Sequence, residues 1–79
     1  MKETIEEMIK RLKSFHRRAS EQLTAQLNWA RNEQWKPGEL EDYIKGERDV
    51  ADEHSKPGEP IHDDIREIQD AIINEYKGQ

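Results

Sequence analysis

The side chains best suited to chemistry gather near the middle of the chain. Glu47, Asp52, Glu53, His54, His62, Asp63 and Asp64 offer carboxylate oxygens and imidazole nitrogens, the groups that bind divalent cations and exchange protons. Glu47 is read on the apolar face of a helix, with His54 one heptad further along the same stripe. A carboxylate there is expected to pair with a Lys or Arg of the first helix, because structural ion pairs account for such placements more often than catalysis does. The cluster lacks a ligand spacing such as His-Glu-x-x-His, so no metal and no cofactor is expected. The sequence also has no cysteine nucleophile, no Gly-rich phosphate loop and no serine in a nucleophile elbow. No catalytic residue is assigned, and a non-enzymatic protein is expected.

Two basic groupings point to binding instead. Lys10, Arg11, Lys13, Arg17 and Arg18 fall within nine residues and could neutralise nucleic-acid phosphates. The competing reading is a solvated helix face, since Glu6–Lys10, Glu7–Arg11 and Arg17–Glu21 are i,i+4 neighbours of opposite charge. Arg11, Arg18, Gln22, Ala25 and Trp29 form a second helical stripe, roughly 100° from the apolar one. Arginine and tryptophan dominate interface hot spots, so Arg11, Arg18, Gln22, Trp29 and the nearby Trp35 are the candidate partner-binding residues. Trp35 is also expected to fold over the end of the first helix.

These residues need elements to position them. Lys36-Pro37-Gly38-Glu39 recurs as Lys56-Pro57-Gly58-Glu59, and Pro-Gly suits the central positions of a type II turn. The turns divide the chain into helices predicted over 3–34, 39–54 and 60–77. In the first, Ile5, Met8, Leu12, Phe15, Ala19, Leu23, Leu27 and Ala30 follow steps of three and four. No Pro or Gly interrupts this run before Pro37, so one helix about 45 Å long is predicted, against about 30 Å for a compact globule of this size. That mismatch favours an elongated molecule. The second helix is weaker, with Leu40, Tyr43, Ile44, Val50 and Ala51 on one face and a break allowed at Gly46. In the third, Ile61, Ile65, Ile68, Ile72 and Tyr76 form a clean stripe that opens at Pro60.

The predicted fold is therefore all-α, a single domain over residues 1–79: an elongated helical hairpin or irregular three-helix bundle with one long N-terminal helix. Within it, Glu3-Thr4-Ile5-Glu6 and Glu67-Ile68-Gln69-Asp70 resemble the carboxylate pairs by which all-α nucleotide pyrophosphohydrolases hold Mg²⁺. The resemblance implies a metal-dependent hydrolase. The separation of the two pairs is far longer than in that pattern, which leaves this reading third.

Composition narrows the rest. Seventy-nine residues, 32% apolar and 39% charged, bury only a marginal core, so self-association into a homo-oligomer is expected. There is no apolar run long enough to span a bilayer and no cysteine for a disulfide, and a cytoplasmic setting is expected. Residues 1–38 carry a net charge of +3 and residues 39–79 a net charge of −8. The function these features suggest is a small protein-interaction module, an adaptor, regulator or inhibitor of the kind phages and mobile elements encode. The alternative is a nucleic-acid-binding accessory protein using Lys10 to Arg18.

Overall fold

The computed structural model describes residues 3–47, 56 and 58–76. Their helices are α1 (Ile5–Lys13), α2 (Arg17–Asn32), α3 (Glu39–Gly46) and α4 (Pro60–Tyr76), and no strand occurs among the described residues. The architecture is a small all-α bundle.

α1 opens on a capping box. The Thr4 hydroxyl accepts from the Glu7 N–H at 3.1 Å, and the Thr4 N–H donates to the Glu7 carboxylate at 3.1 Å. The backbone bond from Thr4, reinforced by its hydroxyl, holds the Glu7 carboxyl below its ordinary range. Its contribution to folding is thus present above the ordinary carboxylate pKa and lost as pH falls through the lowered value.

The single long helix predicted over 3–34 does not form. The chain leaves the helix after Lys13, and α2 starts afresh at Arg17. Ser14 turns its hydroxyl back onto the Arg11 carbonyl at 2.7 Å, and the Phe15 and His16 N–H groups both donate to the Leu12 carbonyl. His16 adopts an extended backbone, φ −152° and ψ 94°, and its Nδ1 accepts from the Ala19 N–H at 3.2 Å. A serine that satisfies the last turn and a histidine that caps the next one end a helix without proline or glycine. The break lets α1 fold back along α2, with Glu6 near the start of α1 paired to Arg31 near the end of α2. A straight helix would leave much of its apolar stripe uncovered by the two shorter helices; folding back buries both halves. Elongation is replaced by a body of 33 × 27 × 19 Å.

The break also corrects the core. Ile5, Met8, Leu12, Ala19, Leu23, Leu27 and Ala30 are buried as predicted, but Phe15 sits in the turn with 74% of its surface exposed. Phe15→Ser is therefore expected to change unfolding free energy by less than about 0.5 kcal/mol in urea titrations. A buried phenylalanine cut to a small residue would cost about 3–5 kcal/mol.

Both Pro-Gly turns close as their sequence predicts. Glu39 N–H bonds to the Lys36 carbonyl at 3.0 Å and Glu59 N–H to the Lys56 carbonyl at 3.1 Å, with Gly38 at φ 83° and Gly58 at φ 96°. At Gly38 the surrounding space is open, so the positive φ alone reserves the position for glycine. α3 stops at Gly46, where Glu47 caps it; the expected continuation to residue 54, with Val50, Ala51 and His54, lies outside the described residues.

α4 packs its Ile65, Ile68, Ile72 and Tyr76 stripe, with Ile73 added, against α1, α2 and α3. The apolar stripes of α1, α2 and α4 are thus covered within one chain, apart from Phe15. The large apolar side chains that remain exposed among the described residues are Phe15 and Trp29. No described helix is long and apolar enough to cross a membrane.

Candidate functional site

Trp29 lies in the last full turn of α2 with 54% of its surface exposed. Its indole is not loose. It stacks on the Tyr43 ring of α3 at a centroid distance of 5.7 Å and an angle of 12°, and Trp35 stacks on the same phenol at 5.5 Å and 23°. The Trp35 ring N–H donates to the Trp29 carbonyl at 3.3 Å, folding the segment after α2 back over its end. Trp35 and Tyr43 are half-buried against the core, leaving Trp29 as the outermost ring of the stack. Burial, and then the neighbouring Glu47 carboxylate, push the Tyr43 hydroxyl above its ordinary pKa.

The rest of the predicted stripe divides at the helix break. Arg18, Gln22, Ala25 and Trp29 stay together as exposed positions along one face of α2. Arg11 is lost from it, because α1 is a separate helix and the Arg11 guanidinium pairs with Glu3 at 3.2 Å. The candidate surface is therefore the outer face of α2, ending in the aromatic stack.

The basic run bends around the α1–α2 turn. Arg17 pairs with Glu21 at 3.1 Å as the i,i+4 spacing predicts. The other two predicted pairs do not form, since Glu6 meets Arg31, Glu7 is held in the capping box and Arg11 turns to Glu3. Lys10 and Lys13 line an open groove of ≈580 Å³ between α1 and α2, shared with Asn28, Arg31, Glu6 and Glu21. Exposed Phe15 stands between Lys13 and Arg17.

The two carboxylate pairs, far apart in sequence, are brought to one groove. Glu3, Glu6, Glu67 and Asp70 line ≈610 Å³ between the start of α1 and the second half of α4, with Glu75 beside them. Glu3 and Glu6 are held by Arg11 and Arg31, and among the described residues no three His, Asp or Glu side chains are placed to hold a metal ion. Of the central cluster, Asp52, Glu53 and His54 lie outside the described residues, His62 is buried, Asp64 is half-buried and Asp63 is exposed. Glu47 corrects its predicted place: it is the half-buried cap of α3 facing Tyr43, and it enters no ion pair with α1 or α2 among the described residues.

Three positioning contacts lie outside the predicted site. Gln69 is fully buried in α4; its amide N–H₂ donates to Gln26 of α2 at 3.3 Å and to the Glu47 carbonyl at 3.0 Å. Arg31 donates from Nε to the Tyr76 hydroxyl at 2.7 Å while pairing with Glu6, which ties α1, α2 and α4 together. Tyr43 carries both indoles. Register held a signal for the first of these, because Gln26 and Gln69 fall at core-facing positions between Leu23 and Ala30 and between Ile65 and Ile73.

The chain matches no known protein family, no curated protein and no solved structure.

Proposed function

We propose that this protein is a small non-enzymatic interaction module, an adaptor, regulator or inhibitor, which docks on another protein through the outer face of α2 with Trp29 as its anchor. The observation that supports this reading is an indole more than half exposed yet held by a stacked phenol. A large apolar side chain left in water is unfavourable by its exposed area, and one already fixed in orientation loses little further entropy when a partner covers it. Tryptophan anchors of this kind commonly carry about 2 kcal/mol or more of binding. The cytoplasm is the compartment assigned to this activity. Affinity capture from nuclease-treated host lysate is the test. The wild-type chain is expected to retain its partner, and Trp29→Ala to lose at least tenfold in affinity, about 1.4 kcal/mol. Equal retention by both would reject the reading.

One observation favours nucleic-acid binding as a second reading. Phe15, exposed in the middle of Lys10, Arg11, Lys13, Arg17 and Arg18, combines an aromatic face with cations as single-strand binders do. Two of those cations, Arg11 and Arg17, are already occupied by carboxylates. If the reading holds, Lys10→Glu with Lys13→Glu abolishes a mobility shift seen with single-stranded DNA at low salt; no shift in the wild type removes it.

A further inference from the structure

The aromatic stack sits in an acidic neighbourhood. Between residues 33 and 47 five carboxylates stand against two lysines, and one of those lysines, Lys45, is held by Glu41 at 2.8 Å. Glu33 lies one turn beyond Trp29 and bonds its N–H to the Trp29 carbonyl at 3.0 Å. Glu39 and Glu47 lie one turn to either side of Tyr43 along α3, and Asp42 adjoins it. Among the described residues Glu33, Glu39, Asp42 and Glu47 enter no ion pair, whereas Glu3, Glu6, Glu21 and Glu41 each do.

We infer that this surface accepts a cationic segment of the partner protein, with an arginine guanidinium laid on the exposed Trp29 ring and the surrounding carboxylates matching its charge. The inference rests on the reading of Trp29 as the docking anchor and names what that anchor recognises. The face of an indole carries the negative part of its quadrupole and attracts a cation, most strongly a planar one that can stack. Unneutralised carboxylates around it repel anionic occupants and favour cationic ones. A purely apolar occupant finds little else to cover, because the other exposed large apolar side chain among the described residues, Phe15, belongs to the turn at the opposite end of α2. A second copy of the chain fits less well: Arg11 and Arg17 at its basic turn are already paired with Glu3 and Glu21.

The test follows the indole N–H resonances of the full chain by NMR, with Trp35→Phe identifying that of Trp29. The chain is titrated to millimolar concentration with a short peptide carrying two arginines in an alanine background. The same peptide with lysine, and with citrulline as the uncharged planar isostere, are the comparison arms. The expected result is a saturable shift of the Trp29 resonance with the arginine peptide, several-fold weaker with lysine and at least tenfold weaker with citrulline. Binding of the arginine peptide, read on the Trp35 resonance, is expected to fall at least tenfold in Trp29→Ala, and to weaken with a shallower salt dependence in Glu39→Gln with Asp42→Asn. Equal binding of arginine and citrulline, an arginine response unchanged in Trp29→Ala, no response up to millimolar peptide, or concentration-dependent self-association through this face would each overturn the inference. A partner whose capture needs Trp29 but is insensitive to salt overturns the inference and leaves the docking surface standing; capture independent of Trp29 overturns both.

Discussion

Leu23→Ala is expected to remove a large share of the protein's folding free energy. Leu23 is fully buried at the centre of α2, in the cluster shared by α1, α3 and α4. Cutting a buried leucine to alanine costs the transfer free energy of the lost methyls plus that of the cavity, about 3–5 kcal/mol. A chain of this length has only about 4–12 kcal/mol in total, at roughly 0.05–0.15 kcal/mol per residue. The variant should therefore be partly unfolded at 25 °C or melt about 12–40 °C lower, at about 4–8 °C per kcal/mol. Circular dichroism during urea and thermal unfolding reads this directly. A loss under about 1 kcal/mol would mean that the helices do not pack around α2 as described.

The second large effect lies in the buried amides. Gln69 is the link between α4, α2 and the cap of α3, and its own Oε1 has no hydrogen-bond partner among the described residues. Gln69→Met keeps volume but strips both donors, leaving the buried Gln26 amide and the Glu47 carbonyl unpaired. Each of the two orphaned groups costs about 1–3 kcal/mol, so a total of about 2–6 kcal/mol is expected. Gln26→Met added to Gln69→Met removes one orphan, and the double variant should recover at least about 1 kcal/mol relative to Gln69→Met alone. Because the bond to Glu47 fixes the end of α3 that carries Tyr43, Gln69→Met should also loosen the support of Trp29. The expected sign is weaker Trp29 fluorescence anisotropy in the Trp35→Phe background. A double variant no more stable than the single one would show that the two amides do not act as a pair.

Much of this molecule is legible in its residue pattern, for reasons specific to each element. Ile65, Ile68, Ile72 and Tyr76 announce α4 because one uninterrupted stripe meets one continuous helix. The two Lys-Pro-Gly-Glu turns are legible because proline and glycine act on backbone angles directly, whatever packs around them. The break at Ser14-Phe15-His16 is not, because steps of three and four run through it unbroken. What ends α1 is side-chain capping by Ser14 and His16, which adds to the gain from folding α1 onto α2. The mismatch between a helix of about 45 Å and a globule of about 30 Å exposes the conflict without deciding it.

The site divides in the same way. Trp29 stands out by spacing alone, a position off the apolar stripe, and so do Arg18 and Gln22 on the same helix. Arg11 does not belong with them because spacing counts residues through a break it does not register. Tyr43 is missed because its role depends on how α3 lies against α2, and that is a tertiary fact. The acidic groove teaches the converse: Glu3, Glu6, Glu67 and Asp70 meet despite their separation in sequence, yet the cations paired with Glu3 and Glu6 give those two carboxylates a structural role.

If Trp29 serves a partner rather than the core, as proposed, equilibrium unfolding of Trp29→Ala will separate the two roles. Losing the stack on Tyr43 and the covered part of the indole should cost about 1–2 kcal/mol, with helical content unchanged. A loss of about 3–5 kcal/mol, equal to that of Leu23→Ala and accompanied by melting of the helices, would place Trp29 in the core and contradict the account.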